Sequence, residues 1–421
     1  MVLITPIGHF ASLLALAILA GRSSAATCNV VPTGGDDDHD AILKALTKCA
    51  NKGTVHFGAG NAYTLASPIT SDESDALGLS NTQIIIDGNI NYAYQKVGGG
   101  DQDDTVYWTI SGTNVDISGT GTIKGHGEQW YNVQQRGPKL MELKADQGSL
   151  SDLTFQNGGS HMIIVGGNDF VVKNLTIHSI SNDYNNAYPQ NATDNSTTLI
   201  LPFAILLTIF SIQVKNTDII GGDDCVSFLD KADTIHINNV KCGGPTHGIS
   251  VGALGSSTGG NKEGTVKNVL IENIEFYDGG LAEDWPDFTA PQFVARIKTY
   301  GNPGSTGTVS NVTWQHITVT SDLGISASGK TAVYVTQNHN VANGEQDPAH
   351  SGISITDITF SDISGGKIPN ADTFGSVSIT CSADHHCHNI LIEDINFKGA
   401  PEEHCTNASG LDKNCVDCGG C

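Results

Sequence analysis

The residues able to do chemistry are concentrated in three short runs. Gly221-Gly222-Asp223-Asp224-Cys225 sets two adjacent carboxylates beside a cysteine, at the end of an apolar, strand-like segment from Val214 to Ile220. Thr246-His247-Gly248-Ile249-Ser250-Val251-Gly252 follows, and then Ala295-Arg296-Ile297-Lys298. An Asp-Asp pair alone is most often an acidic turn. Joined to a histidine beside glycine and to two cations on alternate residues, it describes a site that cleaves an acidic sugar polymer. Breaking a glycosidic bond takes one carboxyl to protonate the leaving oxygen and another to activate water or attack the sugar. Neighbouring side chains of a flat strand point to opposite faces, so Asp223 and Asp224 could cooperate only at a bend, which Gly221 and Gly222 permit. Arg296 and Lys298 would share one face of a strand and can clamp a substrate carboxylate.

Positioning these groups falls to a repeated element. From about residue 80 onward, short β-branched segments recur, each ended by Gly, Asn, Asp or Ser. Thr82 to Gly88, Asn114 to Gly119, Thr234 to Asn238, Asn268 to Ile274 and Asn389 to Ile395 are examples. Their alternation puts Ile and Val inward and polar residues outward. Units that cannot bury an apolar face alone, placed in series, define a solenoid. The predicted fold is all-β, a right-handed parallel β-helix of roughly ten coils. An amphipathic helix from Asp36 to Cys49 is expected to cap its N-terminal end. A β-sandwich would need Asn-Gly hairpins between strand pairs, and those are scarce.

Taken together, "GDDCVSF", "HGISVGALG" and "ARIKTYG" make the chain resemble the polygalacturonases, family 28 of the glycoside hydrolases, with the fungal exo-acting branch nearest. Gly119 to Gly127, ahead of Trp130, extends the resemblance over most of the mature chain. It implies the same β-helix and hydrolysis of α-1,4-galacturonan in pectin. By resemblance, Asp223 matches the general acid of an inverting mechanism and Asp224 a water-activating carboxylate. His247 supports their protonation state, and Arg296 with Lys298 binds substrate. Clustered carboxylates are expected to raise one another's proton affinity. Thr246 stands where the family has a small Gly or Ser, and Ala253 where Ser is frequent. The family's third carboxylate, in an Asn-Thr-Asp motif one coil upstream, has no clean counterpart. Asn216-Thr217-Asp218 has the letters but lies five residues before Asp223, within one coil. Asp194 is the better candidate, although 29 residues upstream.

Composition sets the surroundings. The 421 residues include 49 glycines and only 15% charged residues, which suits many tight turns. Net charge is −23, and protonating all 15 histidines would bring it to −8. Such acidity excludes nucleic acid as a partner, so a polyanionic sugar must be held by a local basic patch. Residues 1–26 read as a secretory signal peptide, and 27–421 as a single catalytic domain; the apolar run is short for a membrane anchor. A secreted, extracellular monomer that neither enters a membrane nor needs a cofactor or metal is expected. Ten cysteines fit an oxidising compartment. Local spacing suggests Cys28–Cys49, Cys225–Cys242 and Cys381–Cys387. Cys405, Cys415, Cys418 and Cys421 allow three connectivities, and the tail with His404 could also be read as a zinc site. Sequons at Asn174, Asn191, Asn195, Asn311 and Asn407 are compatible with glycosylation.

One segment breaks the pattern. Leu199 to Ile212 is a dense apolar run interrupted only by Pro202, within an anomalous stretch of about 192–213. It lacks the turn residues a coil needs, so it is expected to bulge from the stack as foreign sequence such as a translated intron. Two other functions stay open: a pectate-lyase-like β-helix enzyme, needing calcium and a basic residue for proton abstraction, and a catalytically impaired pectin-binding homologue.

Overall fold

A computed structural model describes residues 25–94, 102, 104–131, 135–179, 204–208, 210–256, 262–280, 290–320, 331–339, 350–367, 376–384, 387–398 and 404–409. Every strand pairing among them is parallel, from Thr27–Val30 to His404–Thr406, which rules out the sandwich. The chain winds as a right-handed parallel β-helix, the hand that parallel crossovers take. Each coil lays its residues over those of the coil before. Val172, Val214, Ile237, Ile271, Trp314 and Phe360 thereby form one continuous register column, all fully buried. Trp314 and Phe360 stack with centroids 5.0 Å apart.

Corners are made by residues that tolerate left-handed backbone. Asn174, Asn216 and Asn239 sit at φ of 54°, 51° and 55°, one above another. Their carboxamides form a ladder: Asn239 Nδ2 donates to Asn216 Oδ1 at 2.8 Å, Asn216 to Asn174 at 3.3 Å, and Asn174 to Asp152 at 2.9 Å. A second ladder joins Asn311 to Asn268 and Asn268 to Asp233. Asparagine is selected twice here, because its short polar side chain eases positive φ and satisfies the next coil. The sequons at Asn174 and Asn311 are rungs of these ladders, while Asn407 Nδ2 donates to the Cys381 carbonyl. Asn191 and Asn195 lie outside the described residues.

The expected N-terminal helix runs over His39–Lys48 and buries Ile42, Ala45 and Leu46. A helix missed in the sequence, Ser71–Leu77, starts at a Thr70–Glu73 capping box. Three disulfides close as spaced: Cys28–Cys49, Cys225–Cys242 and Cys381–Cys387. Cys405 is buried in the last strand; Cys415, Cys418 and Cys421 lie outside the described residues.

The anomalous run requires a correction. Its described part does not bulge. Ile205–Leu207 forms a strand that pairs in register with Ile163–Val165 on one side and Val226–Phe228 on the other. Phe210–Ile220 then continues the stack, also paired on both sides. Ile205 and Leu207 point inward and are fully buried, while Leu206 takes the outward position held by Ser227 and Ser250 in the next coils. Alternation survives because an inward, outward, inward triplet is satisfied by any apolar residue at its ends, whatever sits in the middle. Turn residues are needed only at corners, and Ser211 supplies one at φ 59°. Leu207→Ala should therefore cost about 2–5 kcal/mol, as for a core leucine elsewhere. Chemical denaturation checks this, and an unchanged midpoint would mean the segment is foreign to the core after all.

Candidate active site

The strand Phe210–Ile220 ends at two buried glycines, and the backbone bends at Gly222 and Asp223 before Val226–Phe228 begins. This bend lifts the acid pair out of the sheet. Cys225, bonded to Cys242 on the following coil, anchors it from behind. Thr246 holds it from the side. Its hydroxyl donates to the Asp223 carbonyl at 2.7 Å and accepts the Gly248 N–H at 3.1 Å. The residue that departs from the family pattern is thus a working part of the turn. Gly248 is required on two counts, with φ at +82° and no room for a Cβ, which would meet the Val294 carbonyl at 2.5 Å.

Register explains the convergence. Val226 pairs with Ile249, and Ile249 with Ala295, so the coils carrying the acid pair, His247 and the two cations lie side by side. His247 Nδ1 is 2.9 Å from Asp223 Oδ1, which also accepts the Asp224 N–H at 2.8 Å. Asp224 takes Ser250 Oγ at 2.5 Å on one oxygen and Lys298 Nζ at 3.0 Å on the other. Arg296 Nη1 stands 3.7 Å from Asp224. Exposure separates the two acids: the Asp223 side chain is 16% exposed and that of Asp224 0%. Asp223 keeps an exposed edge; Asp224 is the covered counter-ion of a lysine.

Electrostatics reverses one expectation. Burial pushes the Asp223 carboxyl up, but the hydrogen bond and charge of His247, the Lys298 charge and the Asp224 N–H together hold it down at about 2. Carboxylate clustering does not dominate, because a lysine and a histidine sit among the acids. Lys298 itself is pushed below its usual value, first by burial and then by Arg296, against the pull of Asp224. Ligand atoms of Asp223, Asp224 and His247 lie within 4.8 Å of one another, a spacing that could hold a cation. The ammonium of Lys298 already supplies a positive charge there.

Other residues of the site were not singled out from the sequence. The Arg296 guanidinium lies 4.5 Å from the Phe293 ring centroid, and its Nε and Nη1 have no hydrogen-bond partner among the described residues. A buried guanidinium with unused donors is a receptor for an anion. Tyr334, the register partner of Arg296 on the next coil, packs against Phe293 with ring centroids 5.1 Å apart and planes tilted by 38°. Counting one coil onward from Arg296 would have found it. Asp194 lies outside the described residues. Ile205 pairs with Val226 at an offset of 21, and the residues that precede Ala204 on that coil lie outside the described residues. Asp218 accepts the Tyr277 hydroxyl at 2.6 Å instead of joining the acid pair.

The arrangement is a parallel β-helix with an acid–histidine pair and a cation clamp on adjacent coils, the type of carbohydrate-active β-helix. The chain belongs to glycosyl hydrolases family 28, whose profile matches residues 58–416. It is 29% identical over 418 residues to a probable exopolygalacturonase X of Aspergillus fumigatus, covering 93% of this chain and 89% of that protein. An exopolygalacturonase of Cochliobolus carbonum is 28% identical over 409 residues, covering 91% and 84%. Among solved structures, the endo-xylogalacturonan hydrolase of Aspergillus tubingensis superposes with a TM-score of 0.69 at 22% identity, covering 94% of this chain and 99% of that one.

The depressed Asp223 carboxyl makes stability depend on pH. A carboxyl whose proton affinity falls on folding adds stability above its unfolded value near 3.9 and loses it as pH drops through about 2. Wild type should exceed Asp223→Asn in stability by on the order of 2 kcal/mol at pH 5, with the gap closing toward pH 2. Paired denaturation curves across that range provide the check, and a gap independent of pH would place the His247 contact in doubt.

Proposed function

We propose that the protein hydrolyses α-1,4-galacturonosyl linkages of polygalacturonic acid, releasing units from a chain end with inversion. The observation that carries this is the pairing of Asp223 with His247 beside a clamp of two buried cations. The curated relatives named as exopolygalacturonases support the exo assignment. A clamp of Arg296 and Lys298 selects a uronate carboxylate over a neutral sugar, and it overcomes locally the repulsion of a −23 chain.

Asp223 and His247 then share the proton that the leaving oxygen needs. In the free protein the carboxylate is ionised and bonded to His247. A substrate carboxylate drawn to Lys298 and Arg296 offsets the charge that holds Asp223 down, so its proton affinity rises as substrate arrives. The same exchange draws Lys298 off Asp224 and opens that carboxylate to a water. Asp194 is the remaining candidate for a further water-holding carboxylate. Residues 27–421 would form one catalytic domain, supported by the unbroken ladder of parallel strands, and would act as a monomer. Three disulfides support an extracellular location, with 1–26 as the leader. No helix among the described residues is long and apolar enough to cross a membrane. A lyase would form unsaturated, ultraviolet-absorbing products and stop with chelator; a hydrolase does neither.

Asp223→Asn should lower turnover on polygalacturonic acid about a hundredfold or more while oligogalacturonate still binds, the scale of general acid catalysis. Reducing-sugar release with calorimetric binding tests this; most of the activity surviving would remove Asp223 from the mechanism. Arg296→Ala should instead weaken binding, with a loss that shrinks as salt rises. Normal binding by that variant at low salt would sink the clamp.

A further inference from the structure

The acid pair and the cation clamp lie on coils that are not adjacent. Phe210–Ile220 leads to Asp223 and Asp224, Ala232–Gly243 leads to His247, and Glu263–Tyr277 leads to Arg296 and Lys298, each strand in register over the one before. The 3.0 Å bond from Lys298 Nζ to Asp224 therefore reaches from the third of these coils to the first, past the second. A second side-chain bond makes the same crossing before the chain enters the catalytic turns. Tyr277 Oη donates to Asp218 Oδ1 at 2.6 Å, across 59 positions of sequence.

Register makes that reach possible. Tyr277 pairs with Gly243, and Gly243 with Ile220, while Asp218 pairs with Lys241, and Lys241 with Glu275. The Tyr277 ring lies over Gly243, where a Cβ would meet its Cε1 and Cζ at 2.9 Å. Lys241, the cation nearest Asp218 by register, gives its ammonium to Glu275 at 2.7 Å instead, which leaves the Asp218 carboxylate to the phenol. Burial pushes the Tyr277 hydroxyl up, and the bond to Asp218 and that carboxylate's charge push it further, so it stays protonated and donates. The crossing sits where the turns leave the sheet. Gly221 N–H donates to the Gly243 carbonyl at 3.2 Å, and Gly244 N–H to that of Tyr277 at 3.1 Å. Asp223 follows Gly221 in its turn, and His247 follows Gly244 in the next.

On the galacturonan-hydrolase assignment above, we propose that Asp218 and Tyr277 are positioning residues, whose bond fixes the coil of the clamp against the coil of the acid pair and so sets where Arg296 and Lys298 hold a uronate relative to Asp223. They act through the clamp and not on the sugar. Backbone pairing ties each coil only to its neighbour, so small displacements add over two steps. A direct bond across both steps removes that freedom. Misplacing reacting groups by about 1 Å costs up to about a hundredfold in rate. The loss falls on kcat, because the clamp itself stays intact and still binds.

The test is trigalacturonate hydrolysis by wild type, Tyr277→Phe, Asp218→Ala, Asp218→Asn and the double variant Tyr277→Phe/Asp218→Ala, each well below its unfolding temperature. Tyr277→Phe and Asp218→Ala should each lower kcat about tenfold with KM within about twofold. The double variant should lose no more than either single one, because both remove the same bond. Asp218→Asn, whose carboxamide oxygen still accepts the phenol, should keep most of the wild-type kcat. Wild-type kcat in a folded Tyr277→Phe protein overturns the proposal even if its unfolding temperature falls, since the bond is then merely structural. A loss carried by KM alone overturns it too. An inactive wild type would be a failure of the hydrolase assignment instead, and crystal structures of wild type and Tyr277→Phe then read the positioning directly. Lys298 Nζ should move about 1 Å from its 3.0 Å contact with Asp224, and an unchanged distance overturns the proposal.

Discussion

Everything at the site depends on register between coils. Residues 24 to 74 positions apart become neighbours because each coil lies in step over the last: His247 meets Asp223 and Lys298 meets Asp224. A slip of one residue would turn every outward group inward. Apolar columns resist that slip from inside, and the asparagine ladders resist it from the corners. The ladder contributes direction that apolar stacking lacks, since a carboxamide bonds only to the corner in step with it. The cation clamp can therefore sit on one coil and the acid pair on another and still act on one sugar.

Charge is the second constraint. A strongly acidic chain binds a polyanion only where cations are concentrated and shielded, and both cations here are buried against Asp224, Phe293 and each other. Burying Lys298 beside an aspartate satisfies its charge within the protein, and under the proposed function a substrate carboxylate would exchange with that of Asp224. The Lys298 charge adds to His247 in holding the Asp223 carboxyl down, and adds to burial in holding the His339 imidazole down.

Much of this was legible in the sequence. Period-two alternation pointed to the solenoid, and the three disulfides followed from spacing, because local pairs leave few partners. Asp223, Asp224, His247, Arg296 and Lys298 all converge, since each sits in a short run with its own turn or strand signal. What escaped was relational. Thr246 reads as a departure until its hydroxyl is seen holding the Asp223 carbonyl. Tyr334 and His339 are ordinary in sequence and come beside the strand that carries the cations only through coil-to-coil pairing, while Phe293 and Tyr300 flank the cations in their own run. Apolar density misled at Ile205–Leu207, where three residues suffice for a strand and corners lie elsewhere. Carboxylate clustering misled at Asp223, because the nearby lysine is 75 residues downstream.

Inverting hydrolysis from a chain end, by the Asp223–His247 pair and its clamp, is tested most directly by proton magnetic resonance of a trigalacturonate digest followed from the first minutes. Monomeric galacturonate should appear first, in the β-anomer, before mutarotation, with no unsaturated product. Initial release of the α-anomer, or of a product with a new carbon–carbon double bond, would contradict it, as would internal fragments in a parallel digest of polygalacturonic acid.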